Sequence, residues 1–205
     1  MTTDERAVFI AAADAFTDLV QRVPPDAWGG PGLGTWTVRD LTGHASRSLT
    51  TIEAYLDRAA PPVDEPRSTA VGYYLVALAG AGDQADIEAR GRAAGAALGD
   101  DPAGAVAALR DRVLARLADT PDDRVVATPG GALTLVDYLP TRTFELVVHS
   151  LDLAAAVGVP DGQPDEAVGR AVTLAGAIAA VRADGRRTLA ALTGRGELPA
   201  GFSVV

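Results

Sequence analysis

The 205-residue chain contains no cysteine, no lysine and no asparagine. Without cysteine it cannot form a disulfide, a thiolate metal ligand or a cysteine nucleophile, so any thiol chemistry must use a thiol supplied from outside. All 18 basic residues are therefore arginines. Because lysine and asparagine have AT-rich codons, their absence indicates a GC-rich genome such as that of an actinobacterium.

Excess positive charge and long apolar runs are also missing. The formal net charge of −9 argues against nucleic acid or an anionic membrane as a partner, since both need a basic surface. No apolar run approaches the roughly 20 residues of a membrane span. The segment Met1–Arg6 has neither the basic nor the apolar region of a signal peptide. We expect a cytoplasmic protein, either a monomer or a homodimer.

Apolar residues recur at helical spacing along most of the chain, which predicts an all-α fold with a four-helix core and additional helices. A short extended excursion over 124–133, with a hairpin at Pro129-Gly130-Gly131, is too brief to change the fold class. A loop with a short extended end is expected after Leu192. The predicted helices are an opening helix that ends before Pro24 and segments of about 37–58, 69–98, 102–118, 134–157 and 164–182, the last extended or broken at Gly185.

Two local signals refine these helices. Thr37 is a predicted N-cap. Asp40, three residues later, can complete a capping box with Thr37 or interact favourably with the helix dipole. Gly80 and Gly82 leave open whether 69–98 is one helix.

Both histidines of the chain, His44 and His149, lie inside predicted helices. On a helical wheel one polar stripe surrounds His149, and large aliphatic residues border it on both sides, so the stripe should face the interior. Its members within about 60° of His149 are Tyr138, Arg142, Glu145, Asp152 and Ala156.

An unpaired carboxylate inside the protein would cost several kcal/mol, so Glu145 needs a cation or a hydrogen-bond network. Glu145 and His149, four residues apart, can converge on one metal ion, and inward-pointing ligands on facing helices build such sites in bundles. His44 supplies a third ligand at the edge of the core. Two histidines and one carboxylate leave coordination positions open, as a catalytic site requires, and suit Zn, Fe(II), Ni or Mn.

Other interpretations of the same residues stay open. Either histidine can be a hydrogen-bonded residue at the core boundary. Asp152 and Asp40 can orient the histidine rings as outer-shell acceptors, or they can pair with arginines as ordinary helix carboxylates. Arg142 can bind an anionic substrate, or it can neutralise Glu145 directly and so compete with a metal.

Three segments together resemble the mycothiol-dependent maleylpyruvate isomerase family of the DinB-like helical superfamily. They are Trp36–His44 (WTVRDLTGH), Arg142–Ala154 (RTFELVVHSLDLA) and Leu192–Phe202 (LTGRGELPAGF). The resemblance implies a DinB-like four-helix bundle with a divalent metal, usually zinc, on His44, Glu145 and His149. It also implies mycothiol as the cosubstrate, bound to the metal as a thiolate. On this basis residues 1–160 form the metal-binding bundle, and residues 161–205 form a C-terminal helix and tail packed on the same domain.

Three functions follow as hypotheses. The first is a mycothiol-dependent transferase or isomerase acting on a small electrophilic or anionic substrate, with Arg142 as the residue that steers an anionic group. The second is a metal-dependent hydrolase in which the ion activates water. The third is a binding or regulatory protein that keeps the bundle without catalysis.

Overall fold

A computed structural model describes residues 4–62, 68–80 and 84–205. Within these residues the chain forms eight helices and one two-stranded sheet, which confirms the predicted all-α class. The helices are α1 Glu5–Gln21, α2 Val38–Leu56, α3 Ala70–Ala79, α4 Gln84–Ala97, α5 Pro102–Ala118, α6 Leu135–Val157, α7 Asp165–Val181 and α8 Gly185–Leu192; the strands are β1 Val125–Thr128 and β2 Gly131–Thr134.

Four of the helices form a closed ring. α1 packs on α6, α6 on α2, α2 on α5, and α5 back on α1, so the enclosed space is lined by all four. Phe9 and Phe16 of α1, Leu49 of α2 and Leu146 of α6 are fully buried there. Burying such side chains contributes about 1.5–3 kcal/mol each, which makes this ring the main source of stability.

The remaining helices pack on the outside of the ring. α4 lies against α2, while α7 lies against α6, α1 and α3, and α8 packs on α7. Within the described residues no helix is long and apolar enough to span a lipid bilayer.

The predicted segment 69–98 forms two helices rather than one. α3 ends at Gly80, the C-cap residue, and α4 begins at Gln84, whereas Gly82 lies outside the described residues. The two helices have different neighbours, since α3 packs on α6 and α7 and α4 packs on α2. A single straight helix could not reach both sides of the ring.

The helix bearing Glu145 and His149 starts directly after the hairpin. β1 and β2 are antiparallel, with Val126 opposite Leu133, and the turn lies at the predicted Pro129-Gly130. Thr134, the last residue of β2, caps α6 by accepting from the backbone N–H of Asp137. The hairpin therefore fixes where α6 begins and, with it, which α6 side chains face α2.

Helix α2 starts as its sequence predicts. Thr37 and Asp40 form a complete capping box: the Thr37 side chain accepts from the Asp40 N–H, and Asp40 Oδ2 accepts from the Thr37 N–H at 3.0 Å. His44 follows one turn after Asp40, on the part of α2 that faces α6.

Candidate metal centre

Three side chains from the two facing helices converge at one point. His44 comes from α2, and Glu145 and His149 come from successive turns of α6. One donor atom from each lies within 4.8 Å of the others. The structure thus brings together the three residues that the sequence predicts as metal ligands.

The α6 pair is organised by hydrogen bonds. His149 Nε2 lies 3.3 Å from Glu145 Oε2, and His149 Nδ1 donates to Asp152 Oδ2 at 3.1 Å. The Tyr74 hydroxyl on α3 donates to the other carboxylate oxygen, Glu145 Oε1, at 2.8 Å. Both side chains of the pair therefore have their orientation set by a polar partner.

Electrostatics keep Glu145 anionic. Burial alone would raise the pKa of its carboxyl, but the hydrogen bond from His149 and the positive charge of Arg142 outweigh burial and lower the pKa to about 2. For His149, burial would lower the pKa, yet the hydrogen bonds to Asp152 and Glu145 raise it to about 9. A divalent cation would bind in place of the proton between these two side chains, because His149 must be deprotonated to act as a ligand.

His44 has a different environment. Its ring packs against Trp36, with centroids 4.5 Å apart, and meets the edge of the His149 ring at 4.8 Å. Its Nδ1 atom is buried and has no hydrogen-bond partner. Burial, together with His149, lowers the pKa of His44 to about 4, so the imidazole is neutral near pH 7 and keeps a lone pair for coordination.

These residues fit a divalent metal such as zinc. Two imidazoles and a carboxylate are a known donor set for catalytic zinc. Two tetrahedral ligands about 2.1 Å from zinc lie about 3.4 Å apart, close to the 3.3 Å between His149 Nε2 and Glu145 Oε2. His44 offers one ring nitrogen to the same point, within 4.8 Å of the ligand atoms of Glu145 and His149. The Glu145 side chain is 24% exposed, so the cluster is in contact with solvent.

Arg142, one turn before Glu145 on the same stripe, is buried among tyrosines. Its Nη2 donates to the Tyr73 hydroxyl and its Nε to Thr141 Oγ1, both at 3.0 Å. The guanidinium also stacks on the rings of Tyr73 and Tyr138, at 5.1 and 4.9 Å from their centroids. Among the described residues it forms no salt bridge, so it does not neutralise Glu145 by direct contact.

The two aspartates considered as outer-shell acceptors lie in different places. Asp152 contacts His149. Asp40 is not brought to the cluster, because its Oδ2 accepts from both the backbone N–H and the hydroxyl of Thr37, at 3.0 and 2.7 Å. Its contacts are those of a helix cap.

Tyr73 and Tyr74 are site residues that the sequence does not reveal. They belong to α3, and their partners are about 70 positions further along the chain, so no periodicity connects them. Trp36, the residue before the α2 cap Thr37, also packs directly on His44. The low number of tyrosines is the one feature of the sequence that could have pointed to these residues. The chain has four tyrosines, and in the structure their rings form one connected cluster beside Arg142.

The chain matches the model of the mycothiol maleylpyruvate isomerase N-terminal domain over residues 9–154. It belongs to this family. The matched segment begins in α1 and ends near the end of α6, so it contains His44, Glu145 and His149. Membership confirms the resemblance and relates the chain to mycothiol-linked isomerase and transferase chemistry. Neither the curated proteins nor the solved structures contain a match.

Proposed function

We propose that this protein is a divalent-metal-dependent enzyme that uses mycothiol as its nucleophile, for S-transfer to or isomerisation of a small electrophile. The observation that carries the proposal is the convergence of His44, Glu145 and His149 in a member of a mycothiol isomerase family. Zinc is among the metals that suit this donor set. The lack of cysteine agrees with a thiol that arrives as a cosubstrate.

Some side chains of the site would bind the metal, and others orient those ligands. His44, Glu145 and His149 hold the metal, which would lower the pKa of a bound thiol and so supply a thiolate at neutral pH. Asp152 fixes the ring of His149 through Nδ1, and the Tyr74 hydroxyl holds one oxygen of Glu145. The ligands are thereby oriented before the cosubstrate arrives.

Arg142 is the residue we assign to an anionic group on the electrophile. It is 5% exposed, carries a permanent charge and has no carboxylate partner among the described residues. A planar guanidinium with unused N–H groups binds a carboxylate in bidentate fashion. Electrophiles that carry a carboxylate should therefore react faster than their methyl esters, and Tyr73→Phe should reduce this preference because Tyr73 holds the guanidinium.

Metal and thiol dependence test the proposal together. Purified protein should contain about one zinc per chain. The Co(II) form should gain a sulfur-to-cobalt charge-transfer band on addition of mycothiol, and glutathione is the matched control thiol. Turnover with a panel of electrophiles should require both metal and mycothiol.

Two other results would favour the alternative functions. Activity that needs metal but no thiol would replace the proposal with the hydrolase. Protein without stoichiometric zinc after loading, and without a spectral response to mycothiol, would contradict the proposal and favour a non-catalytic binding protein.

A further inference from the structure

His44 differs from the other two proposed ligands in lacking a polar partner. Metal-binding histidines almost always donate their second ring N–H to a carboxylate, carbonyl or water, which fixes the ring. His149 has Asp152 in this role, whereas Nδ1 of His44 is buried without any hydrogen bond. The orientation of the His44 ring must therefore come from packing.

Trp36 supplies that packing. The indole is 7% exposed, lies 4.5 Å from the His44 ring between centroids, and is tilted by 33° relative to it. The indole is itself fixed, because Nε1 donates to the backbone oxygen of Glu88 on α4 at 3.1 Å. Trp36 thus connects α4 to the proposed ligand of α2.

Glycines on α4 make room for this contact. A Cβ atom built on Gly91 would lie 2.3 Å from Cε2 of Trp36, so only glycine lets the indole lie where it does. One turn later, Gly95 meets Gly43, the neighbour of His44: a Cβ on Gly43 would lie 2.2 Å from the Gly95 backbone nitrogen. The backbones of α2 and α4 are therefore in direct contact next to the candidate metal centre. This contact fixes the surface on which Trp36 packs.

We propose that Trp36, seated on Gly91 of α4, is a positioning residue that sets the ring orientation of His44 for metal binding. The inference rests on the proposed function, since it takes His44 as a ligand that binds the metal through Nε2. It assigns to α4 a role in the metal centre, although α4 supplies no ligand.

Two variants test this proposal, each with a matched control. Trp36→Phe removes the indole N–H and shortens the ring, and its control is Trp28→Phe at the half-buried second tryptophan of the same loop. Gly91→Ala pushes on the indole, and its control is Gly169→Ala on α7, where a Cβ meets nothing within 4 Å. Zinc affinity is measured by chelator competition on folded protein, and the Co(II) absorption spectrum reports coordination geometry.

Zinc affinity should fall about tenfold in Trp36→Phe and in Gly91→Ala, with an altered Co(II) spectrum, and should stay unchanged in both controls. In metal-free protein the histidine ring NMR signal of His44 should shift or broaden in the same two variants. The proposal would be overturned if Trp36→Phe and Gly91→Ala unfold more easily but keep the zinc affinity, the Co(II) spectrum and the His44 ring signal of the wild type. Wild-type protein that binds no zinc would instead refute the proposed function, while the ring signal would still decide whether Trp36 orients His44.

Discussion

The two sides of the candidate metal centre are built by different means. On α6, His149 donates a hydrogen bond to Asp152, and Glu145 accepts one from the Tyr74 hydroxyl. On α2, His44 is held by the indole of Trp36 and by the close approach of α4, without a hydrogen bond to Nδ1. One side is fixed by polar partners and the other by shape.

The difference explains how each side responds to change. A hydrogen bond acts on one atom, so its loss lets one ligand rotate while the packing around it remains. A packed ring depends on several surfaces at once, and a single methyl group on α4 can disturb it. Substitutions on the two sides should therefore give losses of metal affinity that differ in size and in their dependence on packing.

The largest effect is expected when a ligand is removed from either side. His149→Ala and His44→Ala should each lower zinc affinity by more than about 100-fold, because ligand loss exceeds the effect usual for outer-shell partners. Chelator competition measures the affinity, and far-UV circular dichroism checks that the helices are intact. If either variant binds zinc as the wild type does, that histidine is not a ligand.

The next largest loss of zinc affinity is expected when the carboxylate that accepts from His149 is removed. Asp152→Ala should lower zinc affinity by about 10- to 100-fold, since the His149 ring loses its acceptor at Nδ1. Asp40→Ala is the matched control, because Asp40 caps α2. It should cost about 1 kcal/mol of unfolding free energy in chemical denaturation and leave zinc affinity unchanged. A loss of zinc affinity in Asp40→Ala but not in Asp152→Ala would show that the helix cap, and not Asp152, supports the site.

A smaller effect is expected for the tyrosine that holds Glu145. Tyr74→Phe removes one hydroxyl donor and should lower zinc affinity by about tenfold. Tyr73→Phe, the neighbouring change, removes a hydroxyl that contacts Arg142 instead and should leave zinc affinity unaltered. Equal losses of zinc affinity in the two variants would indicate that α3 acts only through packing.

The α6 side could be predicted from sequence because its contacts are local. Glu145, His149 and Asp152 are three and four residues apart, and helical periodicity alone puts them on one face. The same periodicity predicts the core helices, and the Thr37 and Asp40 pattern predicts the start of α2. The position of His44 in a second predicted helix made it a candidate third ligand, and the family resemblance supports that assignment.

The supports from α3 and α4 could not be predicted in this way. Tyr74 and Glu145 are 71 positions apart, and the Trp36–Glu88 contact spans 52. Contacts of this kind depend on how helices pack, which one chain's residue pattern does not specify. A glycine inside a helix ordinarily weakens it, whereas the missing side chain of Gly91 leaves the space that Trp36 occupies.

The most direct test of the account is a crystal structure of the zinc-loaded protein with anomalous-scattering maps recorded on both sides of the zinc absorption edge. We predict one strong peak bonded to His44, Glu145 and His149, with an open position toward solvent. A zinc-loaded crystal without a peak at this point, or with Glu145 and His149 still in direct contact at 3.3 Å and the metal bound elsewhere, would contradict it.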